Sequence, residues 1–521
     1  MKPRIFLYNP PAVFDERDWV QPMPLNLLSV CSLIDQTEFD LSVVQEFSQQ
    51  ALEQFRRYRD QIVCVGISTM TGRQITNGLA VAREIRKLTD VPLVWGGYHP
   101  AALPDETLQS GLVDVVIRGY GEVAFRDLAT RVAQGREFGD VPSLSFKRNG
   151  EIVHNPEGPV PRLNDLPPLP YHLFDVDRFF RDTQERSLHY ISSRGCPHQC
   201  GFCADLVIYR RRWNALSAER VIADLKRLKE AYDYDTVRFY DSNLFVNEER
   251  IRAICEGVIE HGLDFRWVKC NGDAFVLSQY SKETLRLMRR AGVSNMLLGV
   301  ESGYAPALRC IGKAANVDQN TQVVERLHEC DISIGFSFMF GFPYDLSGED
   351  LVREHRDELL ATMRAIVEFS GHYVEGDYYL LFIFTPYPGV RLFERYRKLG
   401  YEPPGSFEDW GPVNLDSTDS PWVSPALLKL HGECLKINWF FMRKPDRKIF
   451  PGREHAWLRR YAAFWGDAFR RVLRRRIERN RLRLPVPLEI VLSYYKVKDV
   501  VQTHGWRGLA KRLRRKLASG R

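Results

Sequence analysis

Short apolar runs alternate with segments of helical periodicity over the first 145 residues of the chain. Five runs have the length and composition of buried strands: RIFLYNP, LSVVQEF, IVCVGIS, VPLVWGG and VDVVIRG. Segments such as NGLAVAREIRKL, with apolar residues three and four positions apart, lie between them. Strands that alternate with helices form a parallel sheet covered on both faces. The pattern therefore predicts a doubly wound, Rossmann-like α/β domain over residues 1–145.

The alternation stops at residues 146–187, where the proline-rich stretch EGPVPRLNDLPPLP has no sustained period and predicts a linker. Six more strands are predicted beyond it: LHYISSRG, TVRFYD, FRWVKCN, NMLLGVE, SIGFSFMFG and YYLLFIFTP. Helical segments separate these strands, so residues 188–395 predict a (β/α)6 partial TIM barrel with its site at the carboxyl ends of the strands. The pattern weakens over residues 396–521, where we expect a mostly helical C-terminal region.

Composition narrows the class of protein. A chain of 521 residues, 44% of them hydrophobic, is too long for one compact domain. Seven of its ten cysteines are scattered singly in apolar segments, as in reduced cytosolic proteins. The start, MKPRIFLYNPP, is too polar for a signal peptide, and no run approaches the roughly 18 apolar residues of a membrane span. We therefore expect a soluble cytoplasmic protein.

The stretch SSRGCPHQCGFCAD, residues 192–205, follows the first predicted barrel strand and carries three cysteines, Cys196, Cys200 and Cys203. Gly195 and Gly201 allow a loop tight enough for the three sulfurs to converge on one object. A structural zinc site with His198 as fourth ligand is one interpretation, although closed zinc sites usually take ligands from two separated segments. Three thiolates on an iron–sulfur cube would instead leave one iron open to bind a substrate.

In this loop the chain resembles the radical S-adenosylmethionine (SAM) superfamily, whose signature is three cysteines at this spacing with an aromatic residue before the last, here Phe202. In that family the open iron chelates the amino and carboxylate groups of SAM. Electron transfer then cleaves the sulfonium and gives a 5′-deoxyadenosyl radical. The resemblance implies a [4Fe-4S] cluster on the three cysteines and an electron donor of the flavodoxin or ferredoxin type.

The same resemblance implies SAM contacts at three later strand ends and at Phe202. In FYDSN, the candidates for the methionine amino group are Asp241, Ser242 and Asn243. In GVESG, Glu301 and Ser302 match ribose-hydroxyl binders, and in FMFGFP the backbone from Gly341 matches the adenine contact. Two alternatives stay open, because the Asp-Ser-Asn run could cap the following helix and Glu301 could be an ordinary ion-pair partner.

The strand ends of the first domain read NPP, GISTMTG, WGGYHP and RGYGE, with no dinucleotide or Walker motif. They resemble the cobalamin-binding domain found upstream of many radical SAM enzymes. The resemblance implies cobalamin contacts from Ser68, Thr69, Met70, Gly96, Gly97, His99, Gly119, Gly121 and Glu122. The motif Asp-x-His-x-x-Gly is absent after the first strand, so cobalt would lack a lower histidine and face the loop Thr69–Thr71. His99 could instead be a turn histidine before a proline.

Together the two domains imply a cobalamin-dependent radical SAM methyltransferase that acts on an unactivated carbon of a small-molecule, lipid or natural-product substrate. One alternative is a non-methylating cyclase or oxidase of the tetrapyrrole or natural-product type. A cobalamin or redox sensor is another, although a sensor would not need the SAM motifs. No proton donor or acceptor stands out in the sequence.

The C-terminal region differs from the rest in charge, since residues 441–521 carry 24 Lys and Arg against 6 Asp and Glu in a chain of net charge +7. Aromatic and aliphatic residues from Trp457 to Leu473 recur at helical spacing opposite arginines. A helix packed on the barrel with a basic outer face would explain the pattern. A peripheral helix on anionic lipid would explain it as well. A protein partner is also open, and nucleic acid is not favoured.

Overall fold

The computed structural model describes residues 2–12, 21–413, 420–442 and 468–483. Its first sheet contains seven strands: β1 (Arg4–Tyr8), β2 (Asp40–Val44), β3 (Ile62–Ser68), β4 (Leu93–Gly96), β5 (Val115–Ile117), β6 (Leu144–Arg148) and β7 (Glu151–His154). Their order is β2-β1-β3-β4-β5-β6-β7, and β1 to β5 are parallel. Hydrophobic cores cover both faces, which confirms the doubly wound prediction.

Six helices accompany this sheet: α1 (Leu25–Cys31), α2 (Ser48–Tyr58), α3 (Arg73–Arg86), α4 (Tyr98–Ala102), α5 (Pro104–Gln109) and α6 (Glu122–Ala133). The antiparallel pair β6–β7 extends the sheet to His154, beyond the predicted end at residue 145. Asn149 and Gly150 join the two strands, with φ of 53° and 86°. Asn-Gly favours a tight hairpin turn because both residues adopt positive φ readily, and the sequence analysis overlooked this signal.

The predicted linker is ordered and packs on the second unit. It contains short 3₁₀ turns at Leu163–Asp165 and Tyr171–Leu173 and one helix, α7 (Val176–Thr183). Phe179 and Phe180 of α7 are buried in the barrel core. The segment therefore covers the barrel as well as connecting the two units.

The second unit contains the strands β8 (Ser187–Tyr190), β9 (Ser193–Arg194), β10 (Asn214–Ala215), β11 (Thr236–Phe239), β12 (Arg266–Trp267), β13 (Cys270–Gly272), β14 (Asn295–Glu301), β15 (Ser333–Phe340) and β16 (Tyr378–Ile383). Parallel sheets β12-β11-β8 and β13-β14-β15-β16 form its wall. All six predicted strands are present. The third is split between β12 and β13, where Lys269 has a φ of +52°.

Helices surround this wall, and their bounds are α8 (Asp205–Tyr209), α9 (Ala218–Tyr232), α10 (Glu248–Glu260), α11 (Ala274–Leu277), α12 (Lys282–Arg290), α13 (Ala305–Ile311), α14 (Val317–Glu329), α15 (Gly348–Phe369), α16 (Phe393–Lys398) and α17 (Pro425–Met442). Several begin at side-chain caps that satisfy free backbone N–H groups. Ser217 caps α9, and Asn316 forms a capping box with Gln319 at α14. The arrangement confirms the predicted partial barrel.

The last helix within the described ranges, α18 (residues 468–478), packs against α15. Leu473 and Ile477 are buried in the barrel core, and Arg474 donates a hydrogen bond to the carbonyl oxygen of Val367 at 3.4 Å. This part of the predicted amphipathic helix therefore faces protein, whereas Trp457 to Trp465 lie outside the described residues. None of the helices in the described ranges is long and apolar enough to cross a membrane.

If α18 is part of the core, Ile477→Ala should lower the free energy of unfolding by about 2–5 kcal/mol, because it leaves a cavity where a buried side chain packed. The matched control is Val472→Ala on the same helix, since Val472 is 47% exposed and its truncation should change little. Calorimetric unfolding of both variants measures the difference. Equal effects of the two substitutions would contradict the packing described here.

Candidate cofactor site

The cysteine loop occupies residues 195–213 and is closed at its base by the antiparallel pair of β9 and β10. Gly195 has a φ of +75°, and a Cβ atom there would overlap the carbonyl oxygen of Arg212. At the middle of the loop, the Gly201 N–H donates to the Ile311 oxygen at 2.7 Å, and the Gly201 oxygen accepts from the Leu392 N–H at 3.0 Å. The loop is thus fixed by backbone contacts.

The three thiols of the loop are free and half-buried, and ionisation of Cys196 would raise the pKa of both Cys200 and Cys203. Burial raises the pKa of all three, in the case of Cys200 to about 11. Such thiols become thiolates when a metal binds them, so the donor set fits a cluster held by three sulfurs. The aromatic ring of Phe202 is partly buried against the barrel core.

A closed zinc site receives no support from the described part of the chain. His198, the fourth ligand in that interpretation, has its Nε2 atom 3.2 Å from Asp273 Oδ1.

A cluster of buried charges lies beside Cys200, and the sequence analysis missed two of its members. Lys313 Nζ lies 3.0 Å from Asp273 Oδ2 and 3.6 Å from Glu301 Oε1. Asp273 also caps α11, and Lys313 together with His198 holds the pKa of its carboxyl far below the ordinary value despite burial. A polar residue directly after the third predicted strand was the available signal for Asp273.

Glu301 has a strained backbone, since its φ is +65° and the pairing of β14 with β15 shifts register between Gly299 and Glu301. Left-handed backbone costs a non-glycine residue about 1–2 kcal/mol. Burial raises the pKa of the carboxyl, and the charge of Lys313 opposes that rise. Glu301 is thus an ion-pair partner of Lys313, as the alternative interpretation of its sequence motif expected. The left-handed backbone of Glu301 directs its carboxylate toward Lys313, in the charged cluster at the strand ends.

Asp241 is not arranged as a free SAM contact, which corrects the expectation from sequence. Its carboxylate is fully buried and accepts hydrogen bonds from the Ser192 N–H at 2.8 Å, the Ser192 hydroxyl at 2.7 Å and the Ser193 hydroxyl at 2.6 Å. Its role is to join the end of β11 to the start of the cysteine loop. Ser242 is half-buried.

Asn243 lies at the cysteine loop, because its Nδ2 atom donates to the Cys196 sulfur at 3.8 Å. The alternative that this run caps the next helix is wrong, since the cap of α10 is Asn247. Asn243 thus contacts a predicted cluster ligand directly.

Two further predicted SAM contacts are used inside the protein. Ser302 is fully buried, lies 3.1 Å from the Thr362 hydroxyl and accepts a hydrogen bond from the Tyr304 N–H at 3.1 Å. The Gly341 N–H donates to Glu358 Oε1 at 3.1 Å, and its oxygen accepts from the Trp422 indole at 3.0 Å. These hydrogen bonds engage the Ser302 hydroxyl and the backbone of Gly341 within the protein, and the contacts of both residues with SAM stay predictions.

The carboxyl edge of β3, β4 and β5 forms an open cradle. A Cβ atom at Gly119 would meet nothing within 4 Å, and Gly96 and Gly121 are also uncrowded. Gly97, with a φ of +98°, lies so close to Thr69 that a Cβ atom would be 2.5 Å from the Thr69 oxygen.

One of the polar side chains at this edge lacks a hydrogen-bond partner within the protein. The Thr69 hydroxyl is buried without a hydrogen-bond partner, and the Ser68 hydroxyl accepts from Asn26 at 2.8 Å. Met70 is 57% exposed at the tip of the loop. An unpartnered hydroxyl at an edge that carries uncrowded glycines fits a bulky ligand such as cobalamin.

His99 does not belong to this surface, contrary to the expectation. It is fully buried, its ring stacks on Phe407 at 5.4 Å, and Trp410 covers its edge. Its Nδ1 atom lies 2.9 Å from the Thr71 hydroxyl, and burial lowers its pKa to about 3. It is a neutral core histidine that supports the loop from behind.

Glu122 also has another role than predicted. It is 2% exposed, and its Oε1 atom accepts from Arg194 Nη1 at 2.6 Å and from the Ser29 hydroxyl at 2.7 Å. Arg194 directly precedes the cysteine loop. A second link, from the Tyr98 hydroxyl to Asp205 Oδ1 at 2.5 Å, joins the same loop to the start of α4. The cysteine loop and the glycine-lined cradle therefore face the same junction.

Comparisons with known proteins agree with this geometry. The sequence profile of the Radical SAM superfamily matches residues 190–400, and that of the B12 binding domain matches residues 21–129. The chain is 27% identical over 378 residues to the uncharacterized methyltransferase PH0819 of Pyrococcus horikoshii, covering 71% of this chain and 78% of that protein. It is 24% identical to the hopanoid C-3 methylase of Methylococcus capsulatus, covering 74% and 71% of the two chains.

Other relatives have a different named activity. The anaerobic magnesium-protoporphyrin IX monomethyl ester cyclase of Synechocystis is 23% identical, covering 63% of this chain and 67% of that protein. Among solved structures, the cobalamin-dependent S-adenosylmethionine radical enzyme OxsB, with aqua-cobalamin and S-adenosylmethionine bound, shares the fold with a TM-score of 0.68. That likeness covers 99% of this chain and 80% of the other at 16% identity.

Both domain matches, in this order and with the cysteine loop facing the cradle, identify the cofactors as a [4Fe-4S] cluster, SAM and cobalamin. The chain belongs to the cobalamin-dependent radical SAM enzymes, in which a B12-binding domain precedes a radical SAM domain.

Proposed function

We propose that this enzyme is a methyltransferase that methylates an unactivated carbon of a small-molecule, lipid or natural-product substrate. The observation that carries the proposal is the junction between the two units. There the buried pair of Arg194 and Glu122 places the cysteine loop beside the cradle at the ends of β3 to β5. A radical source and a methyl carrier must both reach one carbon atom, and adjacent sites meet that requirement.

When bound, the three cofactors supply a radical that removes hydrogen from carbon and a methyl group that replaces it. The chain's own residues hold and orient these groups. Cys196, Cys200 and Cys203 would ligate the cluster, and Asn243 would donate a hydrogen bond to one ligand sulfur. Glu301, whose charge Lys313 balances, would accept hydrogen bonds from SAM hydroxyls. Thr69 and Met70, on the loop that includes Thr71, would contact cobalamin.

A ring-forming cyclase or oxidase is the second candidate, and the cyclase of Synechocystis among the relatives favours it. A sensor is less well supported, because a sensor would not need the SAM motifs GVESG and FYDSN. Anaerobically reconstituted protein, incubated with SAM and reductant, distinguishes these functions by mass spectrometry. Methyl transfer should release both 5′-deoxyadenosine and S-adenosylhomocysteine. Release of deoxyadenosine alone would favour the cyclase. If the protein releases neither product, both enzymatic functions are overturned.

We further propose a cytoplasmic location and an electron donor of the flavodoxin or ferredoxin type. A peripheral membrane contact is proposed for the basic C-terminal region. Its support is α18, whose outer side and following residues carry the exposed arginines Arg471, Arg474, Arg475, Arg479, Arg481 and Arg483. The apolar side of α18 is buried, so this segment would bind lipid through charge alone.

Replacing Cys196, Cys200 and Cys203 together by alanine should abolish the iron–sulfur absorbance near about 400 nm, because no thiolate is left to hold the cluster. The matched control is Cys330→Ala, a half-buried cysteine on another part of the barrel. Iron analysis and the visible spectrum measure the result. A triple variant that still binds as much iron as the control would refute the ligand assignment.

Glu301→Gln should weaken SAM binding about tenfold or more without loss of iron, since hydrogen bonds to a charged group contribute about 1.5–3 kcal/mol. Glu325→Gln, an exposed position on α14, is the control. Equilibrium dialysis with labelled SAM gives both affinities. Unchanged SAM affinity in Glu301→Gln would return this residue to a structural role.

The full-length protein should sediment with anionic vesicles at low salt and be released at high salt, because each Lys or Arg near the surface contributes about 1 kcal/mol. Replacing Arg471, Arg475 and Arg479 by glutamine should reduce the bound fraction. Neutral vesicles are the control. Binding to neither vesicle, or binding that salt does not affect, would exclude an electrostatic membrane contact.

A further inference from the structure

Arg238 of β11 and Tyr240, which directly follows that strand, face the interior of the barrel. They alternate with Val237 and Phe239, which are fully buried in the hydrophobic core under the helices. The Arg238 guanidinium lies 4.3 Å from the centre of the Tyr240 ring. On the neighbouring strand β8, His189 pairs in register with Arg238, and its ring lies 4.8 Å from that of Tyr240.

Two cations carry positive charge here, Arg238, which is half-buried, and Lys269, which is exposed. Throughout the described ranges, no carboxylate lies within ion-pair distance of Arg238 or of Lys269, which lies at the break between β12 and β13. Both cations act on His189, whose pKa is lowered to about 3 by burial and then by these two charges. An unbalanced, partly desolvated guanidinium attracts anions strongly, and its planar fork suits carboxylate or phosphate.

Tyr240 adds a hydrogen-bond donor to the two cations. Its hydroxyl is buried without a partner, and burial raises its pKa to about 12, so the phenol keeps its proton at neutral pH. A buried hydroxyl with no partner loses free energy unless a ligand satisfies it. Tyr378 of β16 faces the same space, where its ring covers Gly335 and interacts with the charge of Arg238.

We infer that the barrel interior binds an anionic group of the substrate, a carboxylate or a phosphate, through Arg238, Lys269 and Tyr240. The inference rests on the proposed function, because it assigns the substrate class of that same site. Arg238 precedes Asp241 by three residues, which places it about 10 Å below the strand ends. A substrate that spans this distance is elongated, with its anionic group about 10 Å from the reacting carbon.

The test measures binding of three six-carbon probes, hexanoate, hexyl phosphate and hexanol, to the reconstituted holoenzyme by titration calorimetry. At least one of the two anions should bind more tightly than hexanol, by a factor of about ten or more. Added salt should weaken the binding of that anion. Arg238→Gln should lose that preference. The control Arg266→Gln, an exposed arginine on the adjacent strand β12, should keep it.

Tyr240→Phe removes one hydroxyl without changing the packing volume, so it tests the site even if Arg238→Gln folds poorly. It should weaken anion binding and leave hexanol binding unchanged. Equal affinities for hexanol and both anions, or wild-type anion binding in Arg238→Gln, would overturn the inference. Formation of S-adenosylhomocysteine is measured separately, so anion binding without that product would contradict the methyltransferase and leave the anion site standing.

Discussion

A buried ion pair between Arg194 and Glu122 fixes how the two units of this enzyme meet. Two charges removed from water are costly, and only close pairing with further hydrogen bonds offsets that cost. Ser29 supplies one such bond, and the pair is almost completely buried. Arg194 directly precedes the cysteine loop, and Glu122 begins α6 directly after the last glycine of the cradle. Any displacement between the units would separate these charges, so the pair holds the two cofactor sites in one geometry.

Hydrogen bonds and packing within the protein also fix the positions of several residues near the strand ends. Asp241 holds Ser192 and Ser193, and therefore the first residues of the cysteine loop, against the end of β11. His99, neutral and stacked on Phe407, supports the loop that carries Thr69 and Met70. These side chains shape the site without facing its cofactors. The residues that we propose to face them are the cysteines, Asn243, Glu301 and the glycine-lined cradle.

The alternation of apolar runs was sufficient to predict the parallel strands of both units, because burial on both faces of a parallel sheet leaves a strong signal. The cysteine loop was equally readable, since its chemistry lies within a few consecutive residues. The partners of Glu122, Asp241 and Ser302 were not, because contacts between residues far apart in the chain leave no local pattern. Lys313 was missed for the same reason. The hairpin at Asn149 and Gly150 was readable from its turn residues but was overlooked.

The central claim is that the cluster loop and the cobalamin cradle lie side by side. Electron paramagnetic resonance of frozen anaerobic protein that carries both a reduced cluster and cob(II)alamin tests it directly. We expect spin–spin broadening of both signals in the wild type and weaker broadening in Glu122→Ala, in which the link to Arg194 is broken. Two sharp, superimposed spectra in the wild type, identical to those of protein carrying either cofactor alone, would contradict the arrangement of the two sites.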